Sequence, residues 1–335
     1  MKMCRVLAGM LILFSLAGGW LWMDYRSVLS QPVLSGSAKV FEIAKGDTPG
    51  QIGRRLRDEG FDVSSFWFRC LARMNGVAAR IRYGEYEIAP GTTLPQLLVL
   101  FASGKVRFHA VTFVEGWTFR QALDALRDNP AIGHTLDGVP PAEIMAALGL
   151  PPANPEGQFF PDTYFFAKGG SDRVILLQAH ARMRAVLEEE WRRRDEAYAP
   201  ATPEEALILA SIVEKESALP GERPRVAGVF MRRLRKGMLL QTDPTVIYGM
   251  GDAFNGDIRS EDLRRDTPYN TYVHAGLPPT PIALPGRSSL NAVLHPARDD
   301  SLYFVARGDG GHIFSATLEE HARAVNQWQK GNRKQ

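Results

Sequence analysis

The chain has 335 residues, of which 45% are hydrophobic, 23% charged and 10% aromatic, the proportions of a globular protein with about two domains rather than a disordered or fibrous one. Its formal charge is +3, two units of which come from Lys2 and Arg5, too little for a phosphate-tracking surface, which argues against nucleic acid as a partner. The two cysteines, Cys4 and Cys70, flank an apolar segment and make neither a disulfide framework nor a zinc ribbon.

That segment, Val6 to Met23, is eighteen residues without a charge, close to the ~20 that a helix needs to cross a bilayer core. Basic residues ahead of it favour a cytoplasmic N-terminus, and Trp20 and Trp22 suit the outer interface. The expected order is a cytoplasmic stub at 1–5, a transmembrane anchor at 6–23 and an extracytoplasmic remainder. A cleaved signal peptide would have an apolar region of ~7 to 15 residues and a small-residue cleavage site after it. Here the apolar run continues to Met23, and Cys4 precedes it, where a lipoprotein cysteine would follow.

Residues 24–38, with Pro32 and Gly36, read as a linker. Val40 to Ile43 reads as a strand. Thr48 then caps a helix carrying Ile52 and Leu56 and ended by Gly60. A second helix starts at Ser64, a strand follows at Glu85 to Ile88, and a further helix spans Leu94 to Ala102. The order strand, helix, helix, strand within 39–105 is that of a small α+β unit. KGDTPGQIGRRL, with Lys45, Asp47, Thr48 and Ile52, resembles the opening of a LysM module, a small fold that holds N-acetylglucosamine polymers. An ordinary threonine-capped turn accounts for the same residues.

A connecting region at 106–155 holds a strand from Val106 and a helix capped by Thr118. The proline-rich stretch from Pro151 to Pro161 reads as a joint before a catalytic domain at 156–335. A long helix from Asp172 to about Glu196 places Glu188, Glu189 and Glu190 four residues ahead of Arg192, Arg193 and Arg194, three pairs on a solvated face. Thr202-Pro203-Glu204-Glu205 announces the next helix, with Thr202 as cap and Glu205 closing a capping box. Ala206 to Val213 is apolar nearly all round, which predicts a helix buried on every side.

Glu214 and Glu216 stand at its end, ~200° apart around a helix, so at most one faces a given cleft. A carboxyl group there is partly desolvated, which raises its pKa and suits it to general acid work. Two surface glutamates finishing a helix is the plain alternative.

ILASIVEKES, VFMRRL, LQTDPTVIYGMG, YNTY, GLPPTPI, LHPA and YFVARGDGGHIFSATLEEH together resemble the YceG-like (MltG-type) family of membrane-bound endolytic murein transglycosylases. The resemblance extends over about Phe159 to His321. It implies that Glu216, the second glutamate of the E-K-E string, is the catalytic acid, and Glu216-Ser217 also resembles the Glu-Ser pair of lysozyme-like lytic transglycosylases. It further implies lytic cleavage of peptidoglycan glycan strands. Glu216 gives its proton to the glycosidic oxygen between N-acetylmuramic acid and N-acetylglucosamine, then takes one from the muramyl C6 hydroxyl as a 1,6-anhydro ring closes. Association with peptidoglycan synthases is implied as well.

Gln241, Asp243, Asn270 and Thr271 offer oriented hydrogen bonds to a sugar chain, and Tyr248, Tyr269 and Tyr272 offer flat apolar faces with a polar tip. Ser217 and Glu156 complete the candidate substrate-binding set. Turns explain Asp243, Asn270 and Asp162 equally well. Glu214 is expected to matter for stability if it pairs with a buried base such as Arg233. The histidines show no metal-binding spacing, and no metal or cofactor is expected. GDGG at 308–311 reads as a hairpin turn, Thr317 caps a last helix, and Ala322, Val325 and Trp328 mark that helix's inner side. The expectation is an α+β protein on the extracytoplasmic (periplasmic) face of the bacterial inner membrane, with a single N-terminal transmembrane helix, a LysM-like unit and a larger α+β catalytic domain. Two rivals are a non-catalytic peptidoglycan-binding membrane protein, with Glu216 structural, and a hydrolase.

Overall fold

The chain opens with helix α1 (Lys2–Ser30), 29 residues long. This computed structural model describes residues 2–330, with the side chains of residues 2–6, 8, 329 and 330 outside the description. Met1 of the expected stub and the last five residues of the expected catalytic domain therefore lie outside it. Among the described residues no helix is long and apolar enough to cross a membrane. The apolar side chains of α1 from Leu11 to Met23 are exposed all round the helix.

The chain divides into two compact units, residues 1–109 with 165–169 and residues 110–164 with 170–335. In the first, β1 (Lys39–Ile43), α2 (Pro49–Asp58), α3 (Ser65–Met74), β2 (Gly84–Ile88) and α4 (Leu94–Ser103) follow in order. β1 and β2 pair antiparallel, Phe41 opposite Tyr86. Strand alternation turns Phe41, Ile43, Tyr86 and Ile88 inward, onto Ile52, Leu56, Phe68 and Phe101. The Thr48 hydroxyl accepts from the Gln51 N–H, and the Gln51 side chain accepts from the Thr48 N–H, a closed capping box with Pro49 in the first turn. Residues 24–38, read as a linker, carry the end of α1 and then Val33 and Leu34, both buried in this core.

The chain continues through β3 (Phe108–Thr112), α5 (Phe119–Arg127), β4 (Ile132–Gly133), α6 (Ile144–Leu148), β5 (Thr163–Ala167), β6 (Gly170–Ser171) and α7 (Asp172–Arg192). It ends with α8 (Pro203–Glu216), α9 (Arg223–Arg235), α10 (Asp243–Met250), α11 (Arg287–Leu294), β7 (Tyr303–Ala306), β8 (His312–Ser315) and α12 (Leu318–Val325). β3 pairs with β5, β4 with β6 and β7 with β8. Helices with small separate sheets make the fold α+β. The β7–β8 hairpin turns through Gly308 and Gly310, both at positive φ.

α8 is the axis of the second unit. Every residue from Ala206 to Val213 is buried, as its all-round apolar pattern predicts, and α7, α9 and α11 pack around it. The Ser211 hydroxyl, fully buried, accepts from the Ile282 N–H at 3.0 Å and donates to the Ile208 carbonyl.

Three local expectations need correction. Thr202 caps α8, but the Glu205 carboxylate reaches one residue further back, to the Ala201 N–H, so no capping box closes. α7 ends at Arg192, and of the three charge pairs only Glu188–Arg192 and Glu189–Arg193 form. Glu190 lies on the buried side, bound by Arg287 at 2.5 Å and Asn291 at 2.9 Å from α11, while Arg194, past the helix end, pairs with Glu196. In α12 the buried residue is Ala324, not Ala322, because the hairpin it packs on meets the helix face carrying Ala324 and His321.

Candidate active site

α8 stops at Glu216 because Ser217 turns to extended geometry (φ −126°, ψ 116°). The break leaves the Glu216 carboxyl group in a cavity of about 470 Å³. Four other segments build its walls. α9 contributes Arg233, the turn into α10 contributes Leu240, Gln241 and that helix's first residue Asp243, a loop contributes Tyr272, and the C-terminal hairpin and helix contribute Tyr303, His312 and His321 from β7, β8 and α12.

Burial pushes the Glu216 pKa up, which favours the protonated acid at neutral pH, and the neighbouring Asp243 carboxylate pushes the same way. The Thr242 hydroxyl donates to Glu216 Oε1, and this bond, with the charge of Arg233, favours the ionised form. The group is therefore pushed toward its neutral form while surrounded by partners suited to the anion it becomes. Glu214 has other surroundings. Its two oxygens accept from Arg223 at 2.8 Å and from the Gly286 N–H at 2.9 Å. The base that pairs with it is thus Arg223, not Arg233.

Arg233 is held by main-chain carbonyls. Nε donates to Leu302 at 2.7 Å and Nη1 to Leu240 at 2.8 Å. Among the described residues it pairs with no carboxylate, and burial pushes its pKa down. Its guanidinium lies over the Tyr303 ring, 5.1 Å from the centroid, and His321 stacks on that ring at 5.2 Å. The buried His321 Nδ1 has no hydrogen-bond partner among the described residues.

The segment before α10 is bent at Gln241, whose φ of +51° is the left-handed region that L side chains avoid. The Gln241 N–H is tied to the Thr271 carbonyl at 3.1 Å, and the Thr242 N–H to the Thr271 hydroxyl at 3.1 Å. These bonds hold the bend that aims Thr242 at Glu216. Tyr272 donates to Asp243 Oδ1 at 2.6 Å, and its phenol pKa is raised by burial and by that carboxylate.

Of the residues singled out in the sequence, Glu216, Gln241, Asp243 and Tyr272 line one cavity. Ser217 is buried at the α8 end, its hydroxyl donating to the Leu219 carbonyl. Asn270 folds the loop that presents Tyr272, donating to the carbonyls of Asp262, Leu263 and Arg265 and accepting from the Tyr272 N–H. Tyr248 and Tyr269 pack edge to face at 4.8 Å, and Tyr248 donates to Glu156 at 3.1 Å. Glu156, buried, accepts from the Phe119 N–H at 2.9 Å, and burial pushes its pKa up to about 7. Asp162 accepts locally from the Thr163 N–H. None of these last six lines the cavity. Arg233, Tyr303, His312 and His321 also line it and Thr242 bonds Glu216, roles the sequence did not single out although each of these residues stands in a string that carries the family resemblance.

The YceG-like family matches residues 41–327. The chain belongs to that family. It is 28% identical to the endolytic murein transglycosylase of Bacillus subtilis, across 91% of this chain and 89% of that one. It is 32% identical to the endolytic murein transglycosylase of Streptococcus pneumoniae D39, across 92% of this chain but 62% of the relative's length, so the chain spans under two thirds of that protein. A crystal structure of a YceG-like protein from Listeria monocytogenes is similar in fold, with a TM-score of 0.55 and 28% identity, covering 86% of this chain and 98% of that one.

Proposed function

We propose that this YceG-like protein is an endolytic murein transglycosylase. It cleaves glycan strands of peptidoglycan within their length, between N-acetylmuramic acid and N-acetylglucosamine, and leaves 1,6-anhydro ends. Glu216 is the proton donor to the glycosidic oxygen, and Gln241, Asp243 and Tyr272 hold the sugar. The observation that carries this reading is the Glu216 carboxyl itself, pushed toward its neutral form by burial at an open cavity and met there by the Thr242 hydroxyl and the charge of the Arg233 guanidinium. Proton donation leaves a carboxylate, and both neighbours interact more strongly with that charge than with the acid, so their contribution grows along the reaction coordinate. The names of the relatives agree with this chemistry.

In this reading the chain is held in the bacterial inner membrane by Val6 to Met23, with everything from Asp24 outside. The absence of charge over eighteen residues and the apolar side chains exposed all round α1 support the anchor. The unit formed by β1, α2, α3 and β2 is a LysM-like glycan holder, a role supported by its strand-helix-helix-strand order and its antiparallel pair. Cutting then falls on new strands near the bilayer, where peptidoglycan synthases lay them down.

The test is mass spectrometry of glycan strands digested by the purified protein. Anhydro ends, one water lighter than reducing ends, are expected. Reducing ends would make the protein a hydrolase, and binding without any cleavage would make it a carrier.

A further inference from the structure

A lytic scheme with a single carboxyl group asks Glu216 to be acid in one step and base in the next. The cavity holds a second group built for proton acceptance. Glu222, at the start of α9, takes hold of His312 on β8 twice, accepting from its main-chain N–H at 3.2 Å and bonding its ring Nδ1 at 2.8 Å. The pair is largely shielded, with the His312 side chain 11% exposed and that of Glu222 22%. Phe304 stands edge to face against the imidazole at 5.3 Å and 87°, which fixes the ring plane. Gly311 allows the approach, since a Cβ there would lie 3.1 Å from Glu222 Oε1.

A carboxylate at Nδ1 places the ring proton on Nδ1, so in the neutral ring Nε2 carries the lone pair. Among the described residues Nε2 has no hydrogen-bond partner, and His312 lines the same cavity as Glu216. This is the arrangement in which an orienting carboxylate, a fixed imidazole and a reacting hydroxyl stand in a row.

We propose that His312, held by Glu222, is the base that takes the proton of the muramyl C6 hydroxyl; the proposal rests on the transglycosylase reading above. Glu216 protonates the glycosidic oxygen as the bond from that oxygen to C1 breaks. O6 then bonds to C1 while its proton passes to His312 Nε2. The enzyme is left with an imidazolium and a carboxylate, and transfer of that one proton from His312 to Glu216 restores both, with no water consumed. Glu222 is a positioning residue that acts through the ring.

The experiment uses the full chain and isolated glycan strands, with anhydro and reducing ends counted separately and a melting curve for each variant. His312→Asn keeps a donor where Nδ1 sits, so the tie to Glu222 survives, but removes Nε2. His312→Gln keeps an acceptor near Nε2 that cannot take a proton. Both are expected to lower formation of anhydro ends by about 10²-fold or more, with reducing ends making up a larger share of the remaining product as water competes with the C6 hydroxyl. Glu222→Gln is expected to cost about 10-fold, and adding it to His312→Asn should cost nothing further, since the two act as a unit. A folded His312→Asn variant that forms anhydro ends within about threefold of the unmodified protein overturns the proposal, and so does full additivity in the double variant. An unmodified protein that makes no anhydro ends overturns the transglycosylase reading instead.

Discussion

Glu214 and Glu216 leave the last turn of α8 in divergent directions, the first onto Arg223 and the Gly286 N–H, the second into the cavity. The ~200° between them makes this separation unavoidable. The Glu214–Arg223 pair is almost wholly enclosed, its side chains 4% and 8% exposed. It fixes the end of the helix from behind, so that Glu216 is presented on a braced support.

Replacing Glu216 by Gln keeps the shape and an acceptor for the Thr242 hydroxyl but removes the transferable proton. Release of anhydro ends should fall by about 10²- to 10⁴-fold with the melting curve unchanged. Glu214→Gln leaves a buried guanidinium without its counter-charge, and stability should drop by about 3 to 5 kcal/mol, with activity per folded molecule much less affected. The reverse pattern, stable loss of activity in Glu214→Gln and near-normal release in Glu216→Gln, would exchange the two roles.

Thr242 offers a finer test of the acid. A proton donor works while it holds its proton, so activity is present below the Glu216 pKa and is lost as pH rises through it. The Thr242 hydroxyl favours the charged form and so holds that pKa down against burial. Thr242→Val removes the hydroxyl at nearly constant volume, and the alkaline limb of the kcat/KM profile should move to higher pH. A limb that stays in place or moves to lower pH would show that another group sets it.

What the sequence makes legible is what neighbours along the chain decide. Thr48, Thr118 and Thr317 cap their helices as their spacing indicates, and Ala206 to Val213 is buried because no face of it is polar. Glu190 defeats the same reasoning, since its spacing to Arg194 looks like a surface pair and its real partners, Arg287 and Asn291, lie about a hundred residues on. The cavity divides likewise. Gln241, Asp243 and Tyr272 stand in strings that carry the family resemblance and chemistry of their own. Arg233, His312 and His321 stand in such strings too, but nothing adjacent to them along the chain shows that α9, the hairpin and α12 bring them to the cavity at the end of α8.

The N-terminal helix makes a prediction with two cut points. Trp67 Nε1 donates to Asp24 at 2.6 Å, and Tyr25, Val28 and Leu29 pack against the core of the first unit. A protein starting at Asp24 loses the apolar segment and keeps these contacts, so it should be soluble without detergent and melt as the full chain does. One starting at Gln31 should lose about 2 to 3 kcal/mol from the three uncovered side chains. Equal melting of both truncations would mean that the α1 end contributes nothing to the fold, and insolubility of the first would count against the anchor reading.

Glu156 gives the clearest pH signature in the fold. Among the described residues its buried carboxyl has only the Phe119 and Gly157 N–H groups and the Tyr248 hydroxyl for partners, and burial outweighs them, raising the pKa from 4.5 to about 7. A carboxyl that binds its proton more tightly when folded favours the folded state fully below pH 4.5. That contribution is lost as pH rises toward and through about 7, and the shift corresponds to about 3 kcal/mol. Glu156→Gln is a neutral copy of the protonated form, able to accept from Phe119 and donate to the Tyr248 oxygen. The variant should therefore melt much like the unmodified protein near pH 5 and at a clearly higher temperature near pH 8. A higher melting temperature at both pH values, or a lower one at pH 8, would mean that the ionised carboxylate is at home in this site and that the burial argument fails.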